Sequence, residues 1–119
     1  MWAGINRRKF PRANYPCKIT VKKKDHPDSV SSQTENLGVG GICVMLEKDL
    51  GIFAPVEIQL DLLDGKPVIE CEGTIVWIVA KKDNDPTFDT GMEFTNLKRK
   101  DAERINIIVE KVLTEEATA

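Results

Sequence analysis

The sequence predicts an all-β domain: a small antiparallel barrel of about six strands with one C-terminal α-helix. Three observations predict it. Between Tyr15 and Thr95, short segments alternate apolar and polar residues with a period of two, the pattern of half-buried strands. Turn-forming residues separate these segments at short intervals. After Leu97 the apolar period changes to that of a helix. At 119 residues, with 41% apolar and 30% charged side chains, the chain is long and apolar enough for one domain with a real core, and is not a disordered segment.

In order, Tyr15, Cys17, Ile19 and Val21 share one parity with Lys18 and Thr20 between them, which predicts a strand over 15–21. Asp25-His26-Pro27-Asp28 is a loop by composition, and a short strand follows over 32–35. Asn36-Leu37-Gly38-Val39-Gly40-Gly41 carries three glycines in four positions, so the backbone there turns sharply or admits a close approach. Ile42 to Leu46 and Pro55 to Leu62 are the next strands, and Asp64-Gly65 is a hairpin turn. A long strand spans 67–80. Its first half alternates, while Ile75, Val76, Trp77, Ile78 and Val79 are apolar on both parities. Trp77 shares the parity of Ile75 and reads first as core. A last strand spans 87–95. Ile105, Ile108, Val109 and Val112 then recur at helical spacing, predicting a helix of roughly four turns ending near Leu113. Its expected seat is the stretch of the long strand that is apolar on both sides. The expected organisation is a flexible basic arm over 1–14, the barrel over 15–95 and the packed helix over 96–114.

Charge is unevenly distributed. Residues 1–24 carry eight cations and no acid, and the whole chain has a net charge of −2, which leaves −10 on the rest. Four of those cations, Arg7, Arg8, Lys9 and Arg12, fall within six residues, beside a proline that favours extended backbone. A basic arm on an acidic body suits a small anionic partner better than a nucleic acid. Lys22-Lys23-Lys24 reads as a solvated strand end.

No apolar run approaches the ~20 residues of a membrane span, and the N-terminus lacks a signal-peptide core, so a cytoplasmic protein is expected. Cys17, Cys43 and Cys71 match no metal or redox spacing and read as buried hydrophobes. His26, the one histidine, sits in a loop. No nucleophile–base set and no phosphate loop of the Walker type is present, and pairs such as Asp61 and Asp64 read as solvent-facing. These observations point away from an enzyme, from a cofactor and from a metal site.

What remains is binding. Arg7-Arg8-x-x-x-Arg12 is followed about two dozen residues later by Asn36-x-Gly38-x-x-Gly41. Together they resemble the signature of the PilZ domain family, an Arg-x-x-x-Arg arm followed by Asp/Asn-x-Ser-x-x-Gly. The stretches Gly73-Thr74-Ile75-Val76-Trp77 and Gly91-Met92-Glu93-Phe94, and the helix after them, fit the family in order, so the resemblance covers nearly the whole chain.

The resemblance implies a bacterial six-stranded antiparallel Greek-key split barrel that binds cyclic di-GMP. Arg8 and Arg12 match the two arginines. A guanidinium pairs bidentately with phosphate oxygens or a guanine edge, and stacks on bases. Asn36 matches the residue that reads a guanine edge, and Gly41 the motif glycine. Gly38 stands where the family has serine. One lost hydroxyl contact of about 0.5–1.5 kcal/mol weakens binding roughly three- to tenfold. Arg7 could stack on a second ligand molecule, and Trp77 is a weaker candidate for stacking.

The implied activity is that of a stand-alone receptor whose arm clamps ligand on the barrel and signals to a protein partner. The alternative is a degenerate PilZ adaptor for protein–protein interaction without nucleotide. A nucleic-acid binder ranks below both.

Overall fold

The computed structural model describes residues 12–81 and 86–118. The basic stretch before Arg12, with Arg7 and Arg8, lies outside them. Seven strands form: β1 (Arg12–Ala13), β2 (Lys18–Lys23), β3 (Ser29–Gly38), β4 (Gly41–Leu46), β5 (Pro55–Asp61), β6 (Ile69–Ala80) and β7 (Phe88–Phe94). A helix, α1 (Arg99–Thr118), follows. Strands β2 to β7 close an antiparallel barrel in the order β3-β2-β5-β6-β7-β4, with β4 returning to β3, and β1 pairs with β3 outside it. The predicted class and strand number hold. None of the described helices is long and apolar enough to cross a membrane.

The period-two rule builds the core. On β5, Val56, Ile58 and Leu60 point inward and are at most 1% exposed, while Glu57 and Gln59 face out. Ile19 and Val21 from β2, Ile42, Val44 and Leu46 from β4, and Ile69 and Ile75 from β6 meet them. The first barrel strand begins at Lys18 rather than at Tyr15. Pro16 has no N–H to donate, and Thr34 holds this stretch instead: its hydroxyl donates to the Tyr15 carbonyl (2.8 Å) and accepts from the Cys17 N–H (3.0 Å). Strand β3 is longer than its apolar content suggests, because pairing on both sides supports its polar residues.

Two bulges reset the parity of their strands. Between Thr34 and Asn36 on β3, and between Ile75 and Trp77 on β6, one extra residue shifts the register. The second explains the stretch of β6 that is apolar on both parities: after the bulge Ile78 packs on the core, Val79 is 58% exposed, and Trp77 is not a core residue. The helix therefore does not sit there. It packs chiefly on β1 and β3, burying Ile105 and Val109, and runs to Thr118 rather than ending near Leu113.

Candidate ligand-binding face

Register aligns four positions across the outside of the barrel. Asn36 of β3 pairs with Cys43 of β4, Cys43 with Gly91 of β7, and Gly91 with Trp77 of β6. At ~4.8 Å between strands, this row is about 14 Å wide. Its floor is shallow because Gly91 has no side chain. The Trp77 indole lies over Gly91, and a Cβ there would collide with the indole Nε1 and Cε2. Trp77 is thus on the outer face, which corrects the parity argument that placed it in the core.

The other end of the row is polar. Arg12 enters from β1, whose backbone pairs it with Gly38. Its Nε and one terminal nitrogen both donate to the Asn36 Oδ1, at 2.9 and 2.6 Å. Two donors on one oxygen fix the guanidinium plane, and they commit the single acceptor of Asn36 to the arginine. Asn36 therefore acts first as a positioner of Arg12. Beside the pair, Gly38 ends β3 and Gly41 opens β4. A cavity of about 510 Å³ opens here, lined by Arg12, Gly38, Gly40, Gly41, Glu93 and Asn96 among others. Gly41 has a packing reason of its own: a Cβ would collide with the Met92 carbonyl oxygen of β7. Of the residues singled out in the sequence, Arg12, Asn36, Gly38 and Gly41 come together at one end of the face and Trp77 stands at the other.

Three further residues crowd the same face. The β3 bulge sets Glu35 beside Asn36, opposite Cys43. The Cys43 thiol donates to Glu35 Oε1 at 3.4 Å, and one ligand atom each of Glu35, Cys43 and Asp89 lies within 4.8 Å of the others. Burial first, then the hydrogen bond to Glu35, pushes the Cys43 thiol up to about 12. A hydrogen bond that the protonated Glu35 carboxyl donates to Asp89, then burial, raises Glu35 above its ordinary value. Sequence reasoning missed this cluster, and Gly91 as the seat of Trp77. The apolar pattern alone does not locate a bulge, and these residues are far apart along the chain.

The PilZ domain family model matches residues 6–111. The chain belongs to the PilZ domain family. Solved structures share its fold at low identity. The PilZ domain of YcgR from Escherichia coli with c-di-GMP is 18% identical, at a TM-score of 0.71, over 92% of this chain and 94% of that one. The MrkH–c-di-GMP complex of K. pneumonia is 15% identical at 0.74, and MotI/DgrA, the inhibitor of motility of Bacillus subtilis, 14% at 0.73. Each of these two alignments covers 94% of this chain, and 55% and 52% of the respective partner. This PilZ chain therefore spans about half the length of MrkH and MotI. No curated protein sequence matches it.

Proposed function

We propose that this PilZ domain is a cytoplasmic receptor for cyclic di-GMP that catalyses no reaction. The observation that carries the reading is the Arg12–Asn36 pair, held at a glycine-lined hollow with the Trp77 indole at the far end of the same row. This is the chemistry a cyclic dinucleotide asks for. A planar cation meets phosphate or guanine, backbone approaches closely where side chains are absent, and an aromatic plane meets a base. YcgR and MrkH, which share the fold, are described in complex with c-di-GMP. Arg8, and Arg7 beside it, supply further guanidinium groups from the arm. The arm held against the ligand is the surface a downstream protein partner reads.

Isothermal calorimetry with cyclic di-GMP tests this. Arg8→Ala and Arg12→Ala each remove charge-assisted hydrogen bonds of about 1.5–3 kcal/mol, so affinity falls about ten- to a hundredfold or more. Wild-type affinity in both variants overturns the reading. Two ligands per chain support stacking at Arg7, and one ligand counts against it.

A second reading is an adaptor that binds protein and no nucleotide. Gly38 favours it, because the hydroxyl that the family signature places there is missing. An absence of any shift in the Gly38, Gly41 and Arg12 backbone amide NMR signals on adding cyclic di-GMP would select it.

A further inference from the structure

The Glu35–Cys43–Asp89 cluster belongs to neither the core nor the Arg12–Asn36 pair, and its charges are poorly balanced. Glu35 on β3 and Asp89 on β7 bring a carboxyl oxygen each within 4.8 Å of the other. One Asp89 oxygen, Oδ1, is sealed from solvent and has no hydrogen-bond partner. The Cys43 thiol from β4 hydrogen-bonds Glu35 rather than Asp89 Oδ1. Among the described residues, the cations acting on the cluster are Arg12 on β1, whose guanidinium is held by Asn36, and Lys81 just after β6. Two carboxyl groups this close resolve their repulsion most readily by sharing one proton. Cys43, pushed up to about 12, stays neutral throughout, so the raised group that holds the proton beside Asp89 is Glu35.

The pair's location gives that proton a consequence. Glu35 is adjacent to Asn36 at the bulge, and Cys43 beneath it lies in the row that runs from Asn36 to Trp77. We propose that the Glu35–Asp89 pair makes ligand binding at this face proton-linked: the singly protonated pair admits an anionic phosphodiester, and loss of the shared proton weakens its hold. With the proton in place the pair carries one negative charge beside the ligand phosphates. Without it the pair carries two, on the same outer face. The inference rests on the receptor reading and supplies its regulation.

The test has two arms. Carbon-detected NMR of the side-chain carboxyl groups, on ligand-free protein, follows Glu35 across a pH span from its ordinary value upward. The expected result is a Glu35 titration displaced above that ordinary value. Calorimetry with cyclic di-GMP over the same span should show affinity falling about two- to fourfold as pH rises, the size of one added charge at partly screened distance. In Glu35→Gln and Asp89→Asn this slope should vanish, while Glu57→Gln, on β5, should keep it. A Glu35 that titrates at the ordinary carboxylate value, or a wild-type pH slope in both variants, overturns the proposal. Absence of binding at every pH overturns the receptor reading and its linkage together, and the carboxyl titration still reports whether the proton is shared. Binding with an unchanged slope overturns the linkage alone.

Discussion

Two clusters of ionisable side chains sit on this barrel, and they are built on opposite terms. In one, Arg104 of α1 reaches the hairpin between β5 and β6. It holds both oxygens of Asp64 at 3.1 and 3.2 Å, donates to the Pro67 carbonyl at 2.9 Å and lies 3.8 Å from Asp101. Burial would raise the Asp64 carboxyl. The Lys66 N–H and Arg104 outweigh that and bring it below its ordinary value. In the other, Glu35 and Asp89 face each other without a cation hydrogen-bonded to either among the described residues, and Glu35 is raised. Charges matched by opposite charges and hydrogen bonds tie elements together. Charges left against like charges are held there by the fold, and such places are candidates for function. The contrast separates the part of the surface that fastens the helix from the part proposed to meet a ligand.

The largest effect comes from breaking the matched cluster. Arg104→Met removes the partner of Asp64 and Asp101, and Asp101 is only 7% exposed. An acid left there without its cation costs about 2–4 kcal/mol, less than a fully buried pair because Arg104 and Asp64 retain 16% and 20% side-chain exposure. Urea denaturation should show a lower midpoint at an unchanged slope. The same variant should leave the chemical shifts of Asn36 and Trp77 near wild type. If they move strongly, the two clusters are one unit and the contrast fails.

The clusters also differ in how far the sequence announced them. The alternation of Val56, Ile58 and Leu60, the Asp64-Gly65 hairpin and the helical spacing of Ile105 and Val109 are local patterns, and the structure follows them. The two parts of the candidate site are recognisable as motifs, although their junction is not. Asn36 binds Arg12 across 24 positions, and it spends its only acceptor there. Asp64 reads as a solvent-facing turn residue, because its partner Arg104 lies 40 positions away. The bulges at Glu35 and Val76 are the deeper obstacle. A bulge exists only relative to a pairing register, and one extra residue turns the rest of the strand to its other face. Reading β6 without its bulge sends Trp77 inward and gives the helix the wrong seat.

A smaller effect, confined to the proposed ligand face, comes from Gly91→Ala. The new methyl collides with the Trp77 indole, so the indole must leave its seat. Overpacking of this kind costs about 1–3 kcal/mol, here toward the low end because Trp77 is half-exposed and can swing outward. The Trp77 indole N–H resonance should shift, and cyclic di-GMP affinity should fall while the Arg104 cluster is untouched. Unchanged affinity with a displaced indole would show that the row ends at Cys43 and that Trp77 is only a cover.

The smallest effect distinguishes the clusters by the sign of their pH dependence. Asp64 has a lowered carboxyl, so its stabilisation is present above the ordinary aspartate value and is lost as pH falls through the lower folded value. Glu35 has a raised carboxyl, so the folded state binds its proton more tightly than the unfolded chain does. Stability then declines as pH rises from the ordinary glutamate value through the raised one. Because Glu35 is exposed along much of its length, solvent screening limits the loss to a few tenths of a kcal/mol. Thermal melts of Asp64→Asn and Glu35→Gln against wild type should therefore diverge in opposite directions. Asp64→Asn should be less stable than wild type at neutral pH and approach it in acid. Glu35→Gln should match wild type near the ordinary glutamate value and exceed it slightly at pH above the raised one. A Glu35→Gln protein less stable than wild type at the higher pH would mean that the Cys43 hydrogen bond outweighs the repulsion from Asp89, and that the cluster on the ligand face is as well matched as the one that holds the helix.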